Sequence, residues 1–164
     1  MESPDRLLSS DPRETLQFFF SWLRDVTSDG TVDEQVVLYN ASVLAHFAST
    51  STSTTSGLPT PTSLVQVFDR FVLDTTVHED PEMLEMAAGQ CLLLTGFFGD
   101  QQRRSHNLLW YSELGAGFYA AAATQSRAAA HRRMMTHIAD RFDYWRVSHL
   151  KLSRELRELR YRLM

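Results

Sequence analysis

Residues 135–163 read MTHIADRFDYWRVSHLKLSRELRELRYRL. Within them Met135, Ile138, Phe142, Trp145, His149, Leu152, Leu156, Leu159 and Leu163 return at alternating steps of three and four. That spacing keeps one stripe of an α-helix apolar and is the seam of a coiled coil. No Gly or Pro occurs between 126 and 164, so the spacing predicts one long basic helix over 126–164. An apolar stripe of this length must be covered by the chain's own body, by a second copy or by a different protein. Phe142 and Trp145 are bulky enough to pack on the body. The later part, Leu152, Leu156, Leu159 and Leu163, is flanked by Lys151, Arg154, Arg157, Arg160 and Arg162, which suits docking on a partner. In a parallel dimer Glu155 would face Arg160 of the second copy, which attracts, but Arg141 would face Arg146, which repels.

Five further helices are expected ahead of this one. Asp11-Pro12-Arg13-Glu14 combines a capping residue, a first-turn proline and a capping-box glutamate, followed by Leu16, Phe19, Phe20 and Leu23 at helical spacing. Thr31-Val32-Asp33-Glu34 repeats the start signal before Val36, Val37, Leu44 and Phe47. Ser and Thr then dominate 48–62, with Gly57, Pro59 and Pro61; this composition predicts a flexible loop, as residues 1–10 are also expected to be. A third helix is read over 63–75. Asp80-Pro81-Glu82 opens a fourth that ends near Gly99, and its apolar second half marks it as central to the bundle. The fifth begins near Ser105 and contains Gly115 and Gly117, each costing about 1 kcal/mol against Ala, so close packing against a neighbour is the expected compensation. The fold class is therefore all-α: one single-domain bundle of about six helices, spanning 1–164, with a long amphipathic, coiled-coil-like C-terminal helix.

Composition sets outer bounds. The chain has 164 residues, 43% hydrophobic and 22% charged, an ordinary globular balance. The net charge of −4 hides a division: residues 1–125 carry −10 and residues 126–164 carry +6. A basic segment on an acidic body points to the body itself, an acidic protein or a polyanion as its counterpart. Fifteen of the sixteen basic residues are Arg, which base composition explains as readily as function. No basic stretch followed by an apolar run opens the chain, and no apolar segment is long enough to cross a bilayer. With a single cysteine, Cys91, no internal disulfide forms and a reducing, cytoplasmic setting is expected.

Residues that do chemistry are sparse. No Glu-x-x-His pair of the kind that builds metal sites in helical bundles occurs. His137, Asp140 and Asp143 lie near one another in sequence, and His78, Glu79, Asp80, Glu82 and Glu85 cluster at a helix start, where the helix dipole accounts for them. Cys91 among Leu92, Leu93 and Leu94 reads as an inert buried thiol. No nucleophile elbow, phosphate loop or dinucleotide fingerprint is found, so no catalytic residue, cofactor or metal is assigned. His149 stands at a seam position, where a polar residue sets register. Arg127, Arg132, Arg133 and the Arg-rich end could contact phosphates, but the acidic body opposes nucleic acid.

Leu94-Thr95-Gly96-Phe97-Phe98-Gly99-Asp100, followed by Leu109-Trp110-Tyr111-Ser112-Glu113-Leu114-Gly115 and Phe118-Tyr119, resembles a segment of uncharacterised bacterial helical proteins. In those a Gly-Phe-Phe turn precedes an aromatic pair and Leu-Gly. The resemblance covers about 30 residues; Gly99 stands where that pattern has proline, and Trp110-Tyr111 where it has two tyrosines. It implies a cytoplasmic all-helical protein and no catalytic activity.

Two functions follow as expectations. The first is a non-enzymatic protein–protein interaction or scaffold module, self-associating as a homodimer through Phe142, Trp145, His149, Leu152, Leu156, Leu159 and Leu163, with Arg154, Arg157 and Arg160 at its flanks, or binding another protein there. The alternative is a small-molecule-binding or enzymatic bundle whose aromatic pocket holds Trp22, Phe97, Trp110, Tyr111 and Tyr119, with Glu113 and Arg103 as polar contacts.

Overall fold

The computed structural model describes residues 12–27, 33–52, 80–102 and 107–163. The expected loop beyond residue 52, the expected third helix over 63–75, His78, Arg103 and residues 1–10 lie outside them. Among the described residues the chain is all-α, with seven α-helices and one π-turn: α1 Pro12–Val26, α2 Glu34–Thr52, α3 Pro81–Leu92, the π-turn Leu93–Phe97, α4 Gly99–Gln102, α5 Leu108–Gln125, α6 Ala129–Asp140 and α7 Phe142–Leu163. None of these helices is long and apolar enough to cross a membrane.

Contacts gather the chain into two compact units, one made of residues 1–60 and 151–164, the other of residues 61–150. In the first, α1 and α2 pack together and bury Phe19, Leu23, Val36, Val37, Ala41 and Leu44. Asp33 starts α2 by accepting a hydrogen bond from Gln35 N at 3.0 Å, and the helix persists to Thr52, five residues into the Ser/Thr-rich stretch expected to be loop. The buried amide of Asn40 donates to Val36 O at 2.9 Å, which satisfies a group that would be costly to bury alone. Leu152, Ser153 and Leu156, from the end of α7, are buried residues of this same unit.

The second unit is built around α3 and α5, which pack side by side, with α6 returning along α5. Asp80 caps α3 through Glu82 N at 3.0 Å, with Pro81 in the first turn. Leu84, Ala87, Ala88, Cys91, Leu92, Leu93 and Leu94 are all buried, the central position that their continuous apolarity predicted. The helix widens before it ends at Phe98, beside the expected stop at Gly99. Phe98 N–H reaches back five residues to Leu93 O at 3.0 Å, while the Thr95 hydroxyl donates to Cys91 O at 2.6 Å. Gly96 lies in this widened turn, where an added Cβ would be 3.0 Å from both Arg146 O and His149 Cβ. Glycine here lets α7 approach at backbone distance.

The long C-terminal helix is interrupted at Arg141, whose φ of −119° and ψ of 34° leave the helical region. Hydrogen bonds continue on both sides, Arg141 N to His137 O at 3.0 Å and Trp145 N to Arg141 O at 3.2 Å. The chain also leaves helix at 126–128, so the expected continuous helix over 126–164 is in fact α6 and α7. The interruption accompanies Phe142, whose ring fills the space a side chain at Gly115 would take, Cζ being 2.6 Å from the added Cβ. The seam survives the interruption, since Met135, Ile138, Phe142, Trp145, His149, Leu152 and Leu156 are all buried.

Candidate functional site

Two points along α5 fix the direction of its first half against α7. Gly99 lies between Leu108 at the start of α5 and Leu150 on α7, an added Cβ there being 4.0 and 3.6 Å from their side chains. Further along, Gly115 abuts Phe142, and the Tyr119 and Phe142 rings are 6.2 Å apart. The first half of α5 therefore runs antiparallel to the start of α7. Asn107 begins α5 by accepting a hydrogen bond from Trp110 N at 3.2 Å.

On the outer side of this helix pair lies a groove of about 400 Å³, lined by Leu109, Ser112, Glu113 and Ala116 from α5 and by residues 139–144 at the α6–α7 junction. Leu109, Glu113 and Ala116 share one face by their spacing of four and three. The opposite wall presents Ala139, Phe142 and the Tyr144 ring. Leu109 is 64% exposed and its neighbour Trp110 43%, which leaves a large apolar surface at one end. The Ser112 hydroxyl is held by Leu108 O at 2.7 Å.

Charge at the groove is unevenly committed. Arg141 places its guanidinium carbon 4.6 Å from the centre of the Tyr144 ring, a cation–π contact. Asp143 accepts from Arg146 Nε at 3.3 Å. Glu113 and Asp140 are exposed and form no ion pair among the described residues. The carboxylates left to meet a ligand are thus those two.

The seam residues are placed differently from a free docking stripe. Phe142, Trp145 and His149 are buried in the second unit, Leu152 and Leu156 in the first, Leu159 is half-buried, and Arg154 and Arg157 are exposed. The side chains of Arg160 and Leu163 lie outside the description. Four of the five aromatic residues expected to share a pocket, Phe97, Trp110, Tyr111 and Tyr119, belong to the second unit. Trp22 belongs to the first unit, with its ring 5.4 Å from Phe18. Phe97 packs edge-on against Phe98 at 5.0 Å, and Trp110 against Tyr111 at 4.8 Å. Tyr119 is buried nine residues beyond Trp110 on α5, about 13 Å along the axis at helical rise.

Two buried groups have protonation states set by their surroundings. Desolvation raises the Cys91 thiol to about 12 and lowers His149 to about 3. At neutral pH the first is a thiol without nucleophilic character and the second a neutral imidazole. No group of three or more His, Cys, Asp and Glu side chains suited to a metal ion occurs among the described residues.

Sequence reasoning missed the groove because it depends on which outer faces of two helices lie side by side. It also missed a 3.0 Å contact between His131 Nε2 and Glu85 Oε2 that ties α6 to α3, since the two lie 46 positions apart. No family model matches the chain, and neither a curated protein nor a solved structure matches it.

Proposed function

We propose that the chain is a non-enzymatic protein–protein interaction module whose docking surface is the groove between α5 and the α6–α7 junction. The observation that carries this reading is the exposed Leu109 beside Trp110, contiguous with an apolar-walled groove about two helical turns long. Helix-in-groove recognition uses such a surface. Self-association through the C-terminal helix draws less support, because Leu152 and Leu156 are already buried within one chain. The test is capture from native lysate by the full chain and by Ala116→Arg, which places a long charged side chain in the groove at a half-buried position. Partners held by the chain and lost from the variant support the reading; identical partner sets remove it. A specific rise in melting temperature with a member of a metabolite library would favour the small-molecule alternative.

A further inference from the structure

We propose that the groove takes a basic amphipathic helix from a different protein, an inference that rests on the docking reading above and assigns the class of its partner. The groove runs along α5 from Leu109 to Ala116, about 10 Å at helical rise, against the α6–α7 junction. That length accepts two or three apolar side chains from successive turns of one helix. The rim selects by charge. Glu113 on one wall and Asp140 on the other form no ion pair among the described residues, whereas Arg141 is held over Tyr144 and Arg146 at Asp143. An incoming helix with Lys or Arg beside its apolar stripe meets a carboxylate on each side; one with Asp or Glu there is repelled.

A second copy of this chain fits less well. In its own basic segment at the end of α7, Leu152 and Leu156 are buried and Leu159 half-buried, so among the described residues that segment offers more charge than free apolar surface. Two grooves meeting face to face would bring Glu113 and Asp140 against their duplicates, which is repulsive.

The test uses two fluorescein-labelled 18-residue helical peptides with the same leucine stripe, one flanked by Lys and the other by Glu. Each is titrated into the full chain by anisotropy at low salt, with backbone amide shifts of 109–116 and 139–147 followed in parallel. The Lys-flanked peptide is expected to bind at least tenfold more tightly than the Glu-flanked one and to shift those amides. Glu113→Lys with Asp140→Lys is expected to remove the preference. Glu14→Lys with Asp25→Lys, an equal charge change at exposed positions of α1, is expected to preserve it. Equal loss in both double variants overturns the proposal, because overall charge then explains the binding. Equal binding of the two peptides with groove shifts overturns the basic partner but leaves the docking surface standing. Absence of groove shifts with either peptide overturns the proposal, and the lysate capture then judges the docking reading separately. Sedimentation that shows a dimer of the full chain, dispersed by the Glu113→Lys/Asp140→Lys change or by Ala116→Arg, overturns it in favour of a second copy.

Discussion

A methyl group added at Gly115 would lie 2.6 Å from Phe142 Cζ and 2.7 Å from Cys91 Cβ, whereas one added at Gly117 would meet nothing within 4 Å. Both glycines weaken the same helix by about 1 kcal/mol relative to alanine, so their substitutions separate propensity from packing. Gly117→Ala is expected to stabilise the fold by up to about 1 kcal/mol. In Gly115→Ala the same gain is opposed by overpacking of about 1–3 kcal/mol, and a net loss is expected; urea midpoints of the two variants check both signs. His149 gives a pH dependence of definite sign. Its neutral form is favoured by burial, with the folded value near 3 against 6.5 for the free side chain. Between those values the unfolded chain holds a proton that the folded chain lacks, so stability is complete above about pH 6.5 and falls as the pH drops toward 3. The slope is about 1.4 kcal/mol per pH unit. The difference in unfolding free energy between the chain and His149→Leu, followed from pH 7 to pH 4.5, is expected to change by that slope; a constant difference contradicts the account.

At the scale of elements, much was legible because periodicity reports burial directly. Every seam position from Met135 to Leu156 is buried, and Asp80-Pro81 opens α3 as a capped first turn. What was not legible depends on partners distant in sequence. The interruption at Arg141 has no Gly or Pro to announce it, and it coincides with the fit of Phe142 against Gly115, 27 positions earlier. The widened turn at Leu93–Phe97 is signalled only by Thr95 and Gly96, residues that also occur in ordinary helices. The groove likewise belongs to no single element: its walls are Leu109, Ser112, Glu113 and Ala116 of α5 and residues 139–144, which only the tertiary fold brings together. The seam also admits a test of which covering it has. Leu152 is fully buried within one chain, so Leu152→Ala is expected to cost about 2–5 kcal/mol, with a melting temperature independent of protein concentration. A leucine buried only by a second copy would give a loss that shrinks as concentration rises.

For the molecule as a whole, the same burial decides how many chains travel together. Pairing two copies along the coiled-coil seam would require Leu152 and Leu156 to leave positions in which they are covered. Each exposed side chain forfeits about 1.5–3 kcal/mol, a loss the new interface must first recover. The charges do not supply it, since the parallel register sets Arg141 against Arg146 even as Glu155 meets Arg160. Pairing through the groove opposes Glu113 and Asp140 to their own copies. The intact chain is therefore expected to sediment as a single species of 18.8 kDa at micromolar concentration, in 50 mM as in 500 mM salt. Leu159→Glu, at the half-buried end of the seam, is expected to leave that mass unchanged. A doubled mass that Leu159→Glu returns to one chain would mean that the last turns of α7, beyond Leu156, hold two copies together by themselves, and the division between a covered seam and an open groove would have to be redrawn.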